Sequence, residues 1–114
     1  MRRAALYVLL VVLAAALVAG CGRGGGGGEE GQRTIGLSIS TLNNPFFVTL
    51  RDGAQRAAKE AGVELIVSDA QNDAAQQQDD IQAFITQQVD AILVNPVDSE
   101  AVVPAIQAAN DAGI

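Results

Sequence analysis

Three residues of this 114-residue chain have types and spacing that could do chemistry, Asn44, Phe46 and Asn95, and a fourth, Phe47, lies beside them. The chemistry they suit is recognition. The stretch Ser40 to Phe47 reads STLNNPFF and carries two of the chain's three phenylalanines next to two amides. An asparagine amide offers two N–H donors and an acceptor oxygen. An aromatic face packs on the C–H side of a sugar ring, while the sugar's hydroxyls demand hydrogen bonds, so rings beside amides form a sugar-binding set. Asn44 is followed by Pro45, and the pattern recurs at Asn95-Pro96. Plainer readings exist for three of the four. Asn44 also suits a helix cap, Asn95 a turn, and Phe47 the buried face of a helix. Phe46 falls off that face, and an exposed aromatic at a helix start needs a reason.

Catalysis lacks its residues. The chain has no histidine, no Gly-x-Ser-x-Gly elbow and no dinucleotide fingerprint after its first strand-like run. Asp69 and Asp98 are a conceivable carboxylate pair, but Asp98 is better explained as a helix cap.

The elements that must position the four residues follow from periodicity. Thr34 to Ser40 reads as a strand, with Ile35, Leu37 and Ile39 alternating with small residues. Asn44-Pro45 starts a helix whose apolar positions Phe47, Leu50, Ala54, Ala57, Ala58 and Ala61 share one face, and Gly62 ends it. Glu64 to Ser68 is a second strand, followed by a helix from about Ala74 to Gln88 with Ile81, Phe84 and Ile85 inward. Ala91 to Val94 is a third strand, followed by a helix from about Ser99 to Ala112 with Val102, Ala105, Ile106 and Ala109 inward. Apolar strands alternating with amphipathic helices predict an α/β fold, a doubly wound parallel sheet with right-handed crossovers.

In such sheets ligands bind beyond the carboxyl ends of the strands, where strand order reverses. An order of 2-1-3 makes the first and third strands neighbours about 4.8 Å apart. The loops holding Asn44 and Asn95 then flank one crevice. Three strands leave an unpaired edge, and the chain stops at Gly113-Ile114 where a fourth strand is expected, so the sequence reads as cut short after three βα units.

The leading residues read differently. Residues 1–20, MRRAALYVLLVVLAAALVAG, are a basic start, an apolar run and small residues, the pattern of a bacterial export signal. Val18-Ala19-Gly20-Cys21 resembles the lipobox of bacterial lipoproteins, which makes Cys21, the chain's single cysteine, the expected lipidation site. An uncleaved membrane anchor and a packed cysteine are the other readings of this stretch. Residues 21–33 form a glycine-rich linker. Its flexible part reaches roughly 18 Å, enough to hold a domain clear of a lipid surface. With Arg2 and Arg3 removed in the signal, five basic residues face thirteen acidic ones, a net charge of −8. That balance repels phosphate backbones, so nucleic acid is not an expected partner. The acidic residues are scattered over a solvated surface, and no metal site or cofactor is read from them.

TIGLSISTLNNPFFVTLRDGAQRAAKEAG, the run Asp69-Ala70-Gln71-Asn72, and ILVNPVDSEAVVPAIQAANDAGI together resemble the N-terminal lobe of the ribose-binding family of periplasmic proteins. These are the type I sugar-binding components of ATP-driven importers. The resemblance runs from about Arg33 to Ile114, which makes residues 34–114 a partial lobe. It implies that Asn44 hydrogen-bonds the sugar, that Phe46 and Phe47 wall its ring, and that Asn95 lies at the same cleft. It implies a monomer that passes a monosaccharide such as ribose to an ABC transporter permease, from a lipid-anchored position at the cell membrane. Other ligands served by the same fold are further sugars, polyols and autoinducer-2, presented to a chemoreceptor or sensor kinase. The family's remaining contacts, including an Asp-Arg pair after the fourth strand and the whole second lobe, would fall beyond Ile114. Cytoplasmic repressors share this fold but need a DNA-binding helix-turn-helix where this chain has an export signal.

Overall fold

A computed structural model describes residues 31–114. The export signal, Cys21 and the linker up to residue 30 lie outside the described residues. From Thr34 the chain alternates strand and helix: β1 (Thr34–Ile39), α1 (Pro45–Ala61), β2 (Glu64–Asp69), α2 (Ala74–Thr86), β3 (Ala91–Val94) and α3 (Val103–Asp111). The sheet order is β2-β1-β3 with both pairings parallel, as the sequence predicts. Leu37 sits centrally, opposite Val67 on one side and Leu93 on the other.

The period of two along β1 sends its residues to two different layers. Ile35 faces α1, sharing a cavity with Ala54, Ala58 and Leu65. Gly36 faces α2 so closely that a Cβ there would stand 2.6 Å from the Phe84 ring. Only glycine permits that approach. Phe84 is 1% exposed and Ile81 is fully buried on the α2 side, while Leu37 and Ile39, on the same face of β1 as Ile35, are buried on the other.

Helix ends follow local chemistry. Asp73 caps α2, its Oδ1 accepting from Ala75 N at 2.8 Å and Gln76 N at 3.1 Å. Gly62 ends α1 with φ 68°, and Val63 N then reaches back to the Ala58 carbonyl at 2.9 Å. This is a Schellman closure, which a left-handed residue makes possible.

Five boundaries differ from the sequence expectation; the two smallest are that β1 ends at Ile39 and not Ser40, and α3 at Asp111 and not Ala112. α2 stops at Thr86 and not at Gln88, because Gln88 turns left-handed (φ 57°) and Val89 N bonds the Phe84 carbonyl. α3 is regular only from Val103, four residues after the expected start. Asp98 still nucleates the preceding turn, but Pro104 has no N–H to give, and Val103 N bonds Glu100 O at 3.3 Å in a tighter turn. Asp69 and not Ser68 closes β2, since it still pairs with Ile39. Burial also departs at four positions expected inward: Leu50 is 37% and Ile106 39% exposed, and Ala57 and Ala61 are exposed as well. No residue of α1 is buried.

Candidate functional site

β1 leaves the sheet at Ile39 and delivers the chain, through Ser40 to Asn43, to the start of α1. Asn44 is extended (φ −111°, ψ 129°), and its Oδ1 accepts from Phe46 N at 2.9 Å. Its carbonyl accepts from Phe47 N at 3.0 Å and Val48 N at 3.2 Å. The helix-cap reading therefore describes half of this side chain. Phe46 N–H can only donate, so the amide oxygen must face it, and Nδ2 with its two hydrogens points away from the cap.

Phe46 follows Pro45 in the first helical turn and is 65% exposed. Its ring meets that of Phe47 edge to face, centroids 5.2 Å apart at 83°. Phe47 is half-buried, so the pair has one ring seated and one standing in solvent. Edge-to-face packing holds the exposed ring at a definite angle.

The loop beneath them is tied down. Leu42 N donates to Asp69 Oδ1 at 3.2 Å, and the same oxygen accepts from Gln71 N at 2.9 Å. Asn43 N donates to Thr41 Oγ1 at 3.1 Å, and Asn72 N to Ser40 O at 2.7 Å. Asp69 is thereby a tether between two loops.

At the end of β3, Asn95 N continues the ladder to Ser38 O at 2.9 Å. Its Oδ1 accepts from Ser40 N at 3.2 Å and from Ser40 Oγ at 2.7 Å. Asn95 thus stands against the first residue of the loop that carries Asn44. Because Ser40 N–H can only donate, the Asn95 amide too has its oxygen turned inward. Among the described residues, neither Nδ2 has a partner, and the two asparagines do not bond each other. These residues therefore leave N–H donors and an exposed aromatic ring unengaged.

Asp98, expected to cap the helix, caps the turn ahead of it: its Oδ1 accepts from Ala101 N at 2.7 Å and Glu100 N at 2.9 Å, while α3 itself starts after Val102 with no side-chain cap. Those two bonds, Ala101 first, hold its carboxyl below the ordinary value of 3.8. Asp69 and Asp98 are each committed to separate backbone groups and form no catalytic pair.

Sequence reasoning missed Gln77. This α2 side chain is 1% exposed and makes three bonds. Its Nε2 donates to Ser38 Oγ at 3.0 Å and Asn95 O at 2.9 Å, and its Oε1 accepts from Val97 N at 2.8 Å. Ser40 was passed over as well. Its burial (8% exposed) and its hydroxyl make it the anchor for Asn95. Cavities that open elsewhere among the described residues include one of about 220 Å³ beside Ile92, Val94 and Ile106, and one of about 270 Å³ beneath α1. Both are apolar and include none of the four candidate residues.

The model of the periplasmic binding protein domain matches residues 35–114. The chain belongs to this family. It is 52% identical over 81 residues to the ribose import binding protein of Bacillus subtilis and 47% identical over 81 residues to that of Escherichia coli. Each alignment covers 71% of this chain and 27% of the relative, so the chain spans about a quarter of the length of these curated relatives. A solved ABC transporter solute-binding protein from Mycobacterium smegmatis, with bound glycerol, superposes with a TM-score of 0.71 at 40% identity, covering 74% of this chain and 29% of that one. Another from Bacillus halodurans, with bound myo-inositol, gives 0.68 at 45% identity over 76% of this chain and 30% of that one. The α/β architecture read from the sequence, a lobe of the type I binding-protein fold, is the one these family members have.

Proposed function

We propose that this chain provides one wall of the ligand cleft of a solute-binding protein serving an ABC importer, and that the wall takes a monosaccharide such as ribose. The observation that carries this reading is the exposed Phe46 ring, held edge to face by Phe47, beside two asparagines whose free groups are all donors. The ring packs on a pyranose face, and Nδ2 of Asn44 and of Asn95 donate to sugar oxygens. The Bacillus subtilis and Escherichia coli relatives are ribose import binding proteins by name, which supports the same class of ligand here. Such proteins capture and deliver without chemical change, so no catalytic step and no cofactor is assigned. The protein acts as a monomer that meets a membrane permease.

Residues 1–20 direct export, Cys21 carries the lipid, and residues 21–33 space the domain from the membrane. Cys21→Ser releases the protein from the membrane fraction on this reading; retention of the variant contradicts it. For the cleft, Phe46→Ala weakens D-ribose binding at least tenfold in calorimetric titration while leaving the melting temperature nearly unchanged. Equal affinity in Phe46→Ala and in Asn44→Ala overturns the assignment.

A further inference from the structure

We infer that Gln77 is a positioning residue for the cleft wall, holding the turn after β3 so that the Asn95 amide meets a ligand as a donor. This rests on the proposed sugar-binding reading. Gln77 joins three segments: Ser38 of β1, Asn95 at the end of β3, and Val97 in the turn leading to α3. All of its bonding capacity toward Asn95 and Val97 goes to backbone groups, the Asn95 carbonyl and the Val97 N–H. Those two groups bracket Pro96, whose fixed φ leaves the turn few other settings. Ser40 grips the Asn95 side chain from the opposite side through Oδ1. Backbone held by one residue and amide oxygen held by another leave the Asn95 side chain a single orientation. A buried amide on an otherwise apolar helix face costs stability unless it is fully bonded. Any methionine or leucine would fill this place between the sheet and α2. What an amide supplies and an apolar side chain cannot is a donor and an acceptor at once, for a carbonyl and an N–H two residues apart.

Gln77→Glu distinguishes positioning from simple packing. The protonated acid retains one donor and one acceptor, whereas the carboxylate has acceptors only and opposes the Asn95 carbonyl. In the 114-residue chain labelled with ¹⁵N, the Asn95 side-chain amide and the Val97 N–H of Gln77→Glu match wild type at low pH. They move together as pH rises through the titration of Glu, while the amides of Ile81 and Phe84 hold their positions. The carboxylates of Asp69, Asp73, Asp80 and Asp98 are common to both proteins, so the wild-type profile is the reference. Gln77→Met displaces the same two signals at every pH. Unmoved Asn95 signals in both variants overturn the inference, and so does failure of both to fold at any pH, which would make Gln77 a packing residue. With D-ribose as probe, Gln77→Glu binds at least tenfold more weakly at high pH than at low pH, relative to wild type. If D-ribose perturbs no signal in wild type, the sugar-binding reading fails, while the pH response of Asn95 still decides the role of Gln77.

Discussion

The two helices that flank β1 are held in opposite ways. α2 presents Gln77, Ile81 and Phe84 to the sheet, all of them at most 1% exposed. α1 buries no residue at all and faces the sheet mainly with alanines. Yet it is the loosely packed helix whose first turn carries the candidate ligand residues. Its position comes from its start, where Asn44 caps it, Asp69 and Asn72 tie down the loop, and Asn95 grips Ser40. Burial fixes one helix and hydrogen bonds fix the other. A recognition wall needs exposed side chains at set angles, and polar tethers give that without burying the groups that must meet ligand.

The largest expected effect breaks the contrast at its packed side. Phe84→Ala removes a fully buried ring above Gly36 and costs about 3–5 kcal/mol in urea denaturation. Leu50→Ala on α1, already 37% exposed, costs under about 1 kcal/mol. Similar losses for both would mean that α1 is packed as tightly as α2.

A middle-sized effect separates the two duties of Asn44. Asn44→Ala loses the cap and costs about 1 kcal/mol of stability. Asn44→Ser keeps a capping oxygen but has no amide donor. It retains stability to within a few tenths of a kcal/mol, yet binds D-ribose as weakly as the alanine variant. Full binding by Asn44→Ser would leave the residue a cap alone.

The smallest effect is in acid. The Asp98 carboxyl has its value lowered by the Ala101 and Glu100 N–H groups, so its contribution is complete above its ordinary value of 3.8 and fades as pH falls through the lower folded value. Hydrogen exchange at Glu100 and Ala101 should accelerate in that range, and Asp98→Ala should remove the pH dependence. Exchange that is flat with pH in the wild type contradicts the capping role.

Much of this was legible in the sequence. The alternation of strands and helices, the cap at Asn44 and the turn at Asp98 follow from local chemistry, because apolar runs, a left-handed glycine and short polar side chains act over a few residues. The candidate residues could be named by type, but not their orientation: which end of each amide is left free depends on the Ser40 and Phe46 N–H groups, and the first of these meets Asn95 only after β1 and β3 pair. Gln77 was hidden because it sits in a run with Gln76 and Gln78, which reads as a wet face. Its spacing from Ile81 and Phe84, four and seven residues, was the signal that it points inward. Ile106 misled in the other direction. It lies on the apolar face of α3, but nothing among the described residues covers it fully.

The most direct test is a residue-by-residue map of amide shifts as the chain is titrated with D-ribose. The account predicts perturbations concentrated at Asn44, Phe46, Phe47 and Asn95, with the buried face of α2 and the apolar cavity beside Ile106 unchanged. Shifts centred on either apolar cavity, with Asn44 and Phe46 silent, would contradict it.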